Sequence, residues 1–292
     1  MAEQLSKEEV DKLIKFWSGF LEGSPATNTR ETAWKIYVGL FKKYRQRIIL
    51  IATTWLVISI IATFFISPYL SIFLIGPLPF TLGIVYAFAY LVASNLFWHQ
   101  FAEKRGWSIE STGDIEKEKA YLMHRGNTQH IHQVIRGTLD NRPLRIFSFE
   151  FSTGTGKNRR TYAYTVFGFS FTGKFPHLYL NHQDDQYYGE VGEEISLPEE
   201  FEKKFILHAP KQYEIEAHQI FNPGILSYII DSNLDYDVEL VDGELLAFKN
   251  GSVANITDLE QELSRVHDLV LKFAPILDNF KFEKIGNLTS EL

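Results

Sequence analysis

The sequence predicts a membrane protein in two parts, an α-helical transmembrane hairpin and a cytosolic α+β domain built on antiparallel β-hairpins with a C-terminal helix. Three observations predict it. Between Arg47 and Glu103 there is no Asp, Glu, Lys or Arg. Beyond residue 107, runs that alternate apolar and polar side chains are separated by turn residues, the mark of paired strands. The last such run gives way to apolar residues recurring at helical spacing. The expected parts are N-terminal cytosolic helices over 1–46, a two-span transmembrane hairpin over 47–100 and the cytosolic α+β domain over 107–292.

Residues 48–66 form an apolar run that spans about 28 Å at 1.5 Å per residue, close to the roughly 30 Å hydrocarbon core of a bilayer. Residues 80–98 supply a second run of the same length. Pro68, Pro77 and Pro79 lie in or beside the connection, where they break helices. Lys42, Lys43, Arg45 and Arg47 precede the first run and Lys104 and Arg105 follow the second, while the connecting loop is uncharged. The positive-inside rule then puts both termini in the cytoplasm of a multi-pass cell-membrane protein. The long polar stretch ahead of the first run does not read as a cleaved signal peptide. Gly83-xxx-Ala87 and Ala89-xxx-Ala93 permit close helix packing, which favours self-association.

Ahead of the spans, Ser6 and Glu9 read as a capping box before Val10, Leu13, Ile14, Trp17 and Leu21, an amphipathic helix. Residues 1–22 hold three basic and five acidic side chains, so this helix is expected to pack on protein rather than on anionic lipid. Residues 30–46, with Trp34, Tyr37, Phe41 and Tyr44, read as a helix running into the first span.

In the α+β domain, LRIFSFEF (144–151) and TYAYTVFGFSF (161–171) make one hairpin with a long glycine-containing loop. YDVELV (236–241) and ELLAFK (244–249) make a second through Asp242-Gly243, the strongest short turn signal. Asn222-Pro223 starts a helix with Ile225, Leu226 and Ile229 on its apolar side. A last helix begins at Thr257 with Leu259, Leu263, Val266, Val270 and Phe273 in one stripe.

Composition narrows the chemistry. With 45% hydrophobic and 22% charged residues the 292-residue chain is a folding sequence, and the absence of cysteine removes disulfides, thiolate metal sites and a cysteine nucleophile. Residues 136–174 hold seven basic and two acidic groups, whereas 175–292 hold eight basic and twenty-three acidic, a balance that argues against nucleic acid as a partner.

Several patterns suggest sites. Gly154-Thr155-Gly156-Lys157 lacks the earlier glycine and the following hydroxyl of a phosphate loop and joins strand to strand, so it reads as a hairpin tip. Its Lys157, Arg159 and Arg160 suit lipid headgroups or an acidic partner. His130 and His132, two apart in a strand, project from one face and are the candidate metal ligands, although no further ligand stands at a supporting spacing. Asp231, Asn233, Asp235, Asp237 and Asp242 fit a calcium loop only in part, since Tyr236 occupies the place of its glycine. Asp184, Asp185, Glu190, Glu193 and Glu194 read as a solvated acidic loop.

The segments IRGTLDNRPLRIFSFEFSTGTGKNRRTYAYTV, FEKKFILHAPKQYEIEAHQIFNPGILSYIID and VELVDGELLAFKNG resemble an uncharacterised bacterial family of two-span inner-membrane proteins with a cytosolic α+β domain. Gly137, Arg142, Phe147, Lys157, Phe205 and Gly243 stand at matching places. The resemblance implies a bacterial inner-membrane location and no catalytic residue.

The expected function is therefore a membrane-anchored interaction or ligand-binding module, non-enzymatic and without a cofactor. Its expected partners are the lipid bilayer and either a protein or a second copy of itself. The alternatives are a metal-dependent enzyme or sensor using His130 and His132, and anionic-lipid recognition by the basic hairpin.

Overall fold

The computed structural model describes residues 7–21, 25–65, 77–183 and 192–281. Two compact units emerge, Met1–Phe101 with Ala254–Thr257, and Ala102–Val253 with Asp258–Leu292. The first is helical: α1 (Lys7–Ser18), α2 (Thr29–Lys43), α3 (Arg45–Phe65) and α4 (Pro77–Lys104). Ser6 of the expected capping box lies outside the described residues.

Helix α2 begins where the Asn28 side chain accepts from the backbone N–H groups of Arg30 and Glu31 at 2.9 and 3.2 Å, an N-cap that satisfies two otherwise orphaned donors. It does not run into α3 as the sequence suggested. The backbone leaves helical values at Tyr44 (φ −104°, ψ 16°), and α2 and α3 meet at 74°. Two different surroundings explain the break. One side of α2 is buried, with Ala33 and Ile36 in a core shared with Ala89, Ala93 and Leu96 of α4, against which Ile14, Trp17 and Phe20 also pack. Among the described side chains of α3 only Ser59 is buried. Ile49, Leu50 and Ile51 are all exposed, as are Leu56, Val57 and Ile58, and three consecutive residues cover the circumference of a helix.

Among the described residues one helix, from Phe80 to Lys104, is long and apolar enough to cross a membrane, or two if the bent pair α2–α3 counts as one. The first half of α4 is exposed at Phe80, Leu82, Ile84 and Phe88, and its second half is buried from Ala93 onward at Leu96, Phe97 and Phe101. Ala89 and Ala93, one of the small-residue pairs, are fully buried by α1 and α2 within the chain.

The second unit is a mixed α+β fold. Among the described residues its nine strands are β1 (Ser108–Thr112), β2 (Thr128–Leu139), β3 (Arg142–Thr153), β4 (Arg160–Ser170), β5 (Leu178–His182), β6 (Glu193–Ile195), β7 (Phe205–Ala209), β8 (Asp237–Val241) and β9 (Glu244–Asn250). They form one sheet in the order β1-β2-β3-β4-β9-β8-β5-β7-β6, every pair antiparallel. The helices are α5 (Glu199–Glu202), α6 (Glu214–Ile220), α7 (Pro223–Asp231) and α8 (Ile256–Leu277). Both expected hairpins are present as β3–β4 and β8–β9. Asp242 and Gly243 take φ of 55° and 80°, the two left-handed residues of a type I′ turn. Asp140 and Asn141 (φ 48° and 63°) make the β2–β3 turn in the same way without glycine, because their short polar side chains tolerate that region.

One face of the sheet carries Phe147, Phe149, Phe151, Tyr164, Val166, Leu246 and Phe248, and is covered by the segment bearing Ala120, Leu122 and Met123. On the other face Leu144 pairs with Phe169, whose ring meets His267 of α8 at 6.2 Å. Helix α8 buries the expected stripe, Leu259, Leu263, Val266, Val270 and Phe273, together with Leu269 and Leu277.

Candidate functional site

The polar groups of the first face are gathered under residues 115–126, a strap of two 3-10 turns, Ile115–Lys117 and Tyr121–His124, crossing from β1 to β2. Three anchors tie it to the sheet. At the first, Arg145 donates to both oxygens of Glu118 on the strap at 2.5 and 2.8 Å and to both oxygens of Glu244 on β9 at 2.8 and 2.7 Å. At the second, fully buried Glu239 of β8 accepts from the backbone N–H groups of Tyr121 and Leu122, and lies 2.6 Å from His177 Nε2. Tyr121 stacks on the His177 ring at 3.9 Å.

The third anchor runs deepest. Arg125 Nη2 donates to the Tyr179 hydroxyl at 2.7 Å, and that hydroxyl donates to Asp237 Oδ2 at 2.7 Å. The other oxygen of Asp237 accepts the His182 backbone N–H at 2.7 Å. Arg125, Tyr179, Asn181 and Asp237 are all nearly inaccessible to water. The sheet register explains the meeting. Tyr179 of β5 stands opposite Glu239 of β8 on one side and His208 of β7 on the other, and His208 stands opposite Glu194 of β6. A polar row thus crosses four strands on one face.

Burial sets the proton states. It pushes the Tyr179 hydroxyl well above its ordinary pKa, with the Asp237 charge adding to the effect and Arg125 opposing it, so Tyr179 stays protonated. Burial works against the Arg125 cation, but Tyr179 and Asp237 outweigh it and its pKa rises. Burial raises the Glu244 carboxyl against the pull of Arg145. His208 is lowered by burial and by Arg125, against Glu194. Chemically the constellation locks a strap onto a sheet with complementary charges, each held by a fixed donor or acceptor.

Sequence reasoning misses Arg125, Tyr179 and Glu239, and assigns Asp237 to a partial calcium loop instead. The available signal was the alternation in Leu178-Tyr179-Leu180-Asn181 and Asp237-Val238-Glu239-Leu240, which marks one polar face on each strand. It reads as a solvated face until the strap is known to cover it.

The sequence candidates lie elsewhere. His130 and His132 are on β2 with ring centroids 5.8 Å apart and stacked, and His132 Nε2 lies 4.0 Å from Glu150. Among the described residues no three His, Asp or Glu side chains come together as a metal site. The partial calcium loop is dispersed: Asp237 is buried on Tyr179, Asp235 pairs with Lys249 and Arg265, and Asp242 pairs with Lys119. Asp184, Asp185 and Glu190 lie outside the described residues. Lys157, Arg159 and Arg160 are exposed at the β3–β4 tip, where Arg159 donates to Ser152 Oγ at 3.1 Å. Much of the remaining positive charge of 136–174 is internal, since Arg142 pairs with Asp278 and Arg145 with Glu118 and Glu244.

Two open clefts flank the far end of the sheet. One, of about 400 Å³, is lined by Gln183, Glu194, Ser196, Glu202 and Ile206 among others. The other, of about 410 Å³, is lined by His182, Gln183, Lys203, Lys204, Asn233 and Asp235. The second is predominantly polar and suits a hydrophilic ligand or a peptide side chain, whereas the first is mixed, with Ile195, Phe205 and Ile206 beside its polar groups.

No protein-family model matches the chain, and no curated protein matches it. Among solved structures it is similar to the crystal structure of the mycobacterial trehalose monomycolate transport factor A, TtfA, at 12% identity and a TM-score of 0.45, over 61% of this chain and 94% of that one. A likeness at that level carries no argument about function.

Proposed function

We propose that the chain is a two-span membrane protein whose α+β domain, held at the cytoplasmic surface, acts by binding a protein partner or small hydrophilic ligand rather than by catalysis. One observation carries the reading: apolar side chains of α3 are exposed around its whole circumference, which is stable in hydrocarbon and costly in water. A core helix of a soluble protein would be mostly buried, whereas only 22% of the apolar window of α4 is. Hydroxyls within the spans bond back to their own helices, Thr53 Oγ1 to Ile49 O at 2.9 Å and Ser59 Oγ to Trp55 O at 2.8 Å, as a bilayer demands. Lys42, Lys43, Arg45 and Arg47 at one end of the hairpin and Lys104 and Arg105 at the other favour a cytoplasmic location for both termini.

In the α+β domain the buried charges serve the strap, which leaves the clefts beside His182 and Glu194 as the surfaces for a partner. The test is affinity purification of the full chain from cross-linked native membranes, with mass spectrometry and metal analysis of one eluate. A stoichiometric partner without metal supports the proposal. Stoichiometric metal lost on changing His130 and His132 to Ala would replace it with the enzyme or sensor reading.

A second reading rests on the exposed Lys157, Arg159 and Arg160 at one hairpin tip. It predicts salt-sensitive binding of that tip to anionic headgroups, abolished when the three are changed to Gln.

A further inference from the structure

We infer that α2 is an in-plane interfacial helix that engages acidic phospholipid headgroups, an assignment that rests on reading α3 as a membrane span. The bend carries it. With α3 crossing the bilayer, the 74° angle lays α2 close to the membrane plane. That helix and the first turn of α3 carry six cations, Arg30, Lys35, Lys42, Lys43, Arg45 and Arg47, against one carboxylate, Glu31.

All six are exposed, and none forms an ion pair with a carboxylate among the described residues. Lys43 instead lies over the rings of Phe16 and Phe20, 4.8 and 5.0 Å from their centroids. A cationic cluster of this density beside a span is what an anionic leaflet attracts. The aromatic residues fit the same depth. Trp34 is 58% exposed, stacks on Tyr37 at 5.6 Å, and Tyr37 meets Phe41 at 4.8 Å, a row suited to the headgroup boundary.

The side of α2 with Thr32, Ala33 and Ile36 buried is already occupied by protein, and Lys43 shares that side over Phe16 and Phe20, so Arg30, Lys35 and Lys42 are the cations of this helix turned away from it. The helix is therefore fixed in roll and cannot sink its charged side into hydrocarbon. The acidic balance of residues 1–22 does not weaken the assignment, because the charge resides on α2 and not on α1.

The test uses the full chain in nanodiscs of phosphatidylcholine alone or mixed with phosphatidylglycerol. The absence of native cysteine lets a single nitroxide report from Val38→Cys, on the helical stripe of Lys35 and Lys42, or from Val57→Cys in α3. The Val57 label is expected deep in hydrocarbon in both lipids. The Val38 label is expected at headgroup depth, with phosphatidylglycerol enriched around it about threefold over a bulk share of about one fifth at low salt. High salt, or the triple variant Lys35→Gln, Lys42→Gln and Lys43→Gln, should remove that enrichment while leaving the Val57 label unmoved.

A deep Val57 label with a water-exposed Val38 label overturns the inference and leaves the span reading standing. Shielding of Val38 that ignores both phosphatidylglycerol and the charge variant means burial by protein or neutral lipid, and also overturns it. A water-exposed Val57 label removes the span reading and this inference with it.

Discussion

Asp237 accepts the Tyr179 hydroxyl at 2.7 Å in a place that water does not reach, and Arg125 donates to the same hydroxyl at 2.7 Å. The tyrosine is thus the neutral bridge between a buried cation and a buried anion. Tyr179→Phe keeps the ring but removes an acceptor from Arg125 and a donor from Asp237, and should cost about 1–3 kcal/mol. Denaturant unfolding of the purified full chain measures it. A loss below about 0.5 kcal/mol would mean that the anchor is not closed as described.

Arg145 is shared between two half-buried carboxylates, Glu118 and Glu244. Arg145→Met leaves like charges facing each other with only partial access to water and should cost about 1–3 kcal/mol near neutral pH. The sign with pH is fixed by Glu244, whose carboxyl is already raised by burial. A raised carboxyl stabilises below the ordinary carboxylate range, and that contribution is lost as pH rises through the folded value. The defect of the Met variant should therefore shrink on acidification, as the carboxylates take up protons. Unfolding curves of both proteins across the carboxylate range check this.

His132 and His208 shift the other way. Burial lowers the pKa of each below that of an ordinary imidazole, with Glu150 opposing at His132 and Glu194 at His208. The unfolded chain then binds protons more readily, so stability is full above about pH 6.5 and falls as pH drops through the lower folded values. His208→Gln should flatten that slope, which an unfolding midpoint at each pH would reveal.

Gly137 lies beneath the Trp107 indole, where a Cβ would land inside the ring. Gly137→Val must displace Trp107 and should cost about 1–3 kcal/mol. Tryptophan fluorescence should shift to the red in the folded variant as the indole becomes exposed to water.

Much of the sheet was legible because its signals are local. The β3–β4 and β8–β9 strands follow from period-two alternation and the Asp242-Gly243 turn, and the α8 stripe follows from helical spacing. The pairing of β5 with β8 and β7 is not legible, since it joins residues far apart in the chain, more than fifty for β8, through side chains that look like a solvated face. Periodicity tells which residues share a face and not what covers it. For the same reason Asp237 was read as one acid of a partial calcium loop, and Glu239 as an ordinary strand residue. The bend at Tyr44 carries no Gly or Pro to announce it. It arises because α2 has a protein-facing side, whereas among the described side chains of α3 only Ser59 is buried, a tertiary cause. His130, His132 and the basic tip were legible as surface groups, and the structure places them apart from the strap and its anchors.

Alkaline-carbonate extraction of native membranes containing the full chain tests the central claim most directly. The account predicts that the protein stays wholly in the membrane pellet, because the apolar surfaces of α3 and the first half of α4 lie in hydrocarbon. Release into the supernatant would contradict it, and would require another cover for the exposed residues from Ile49 to Ile61.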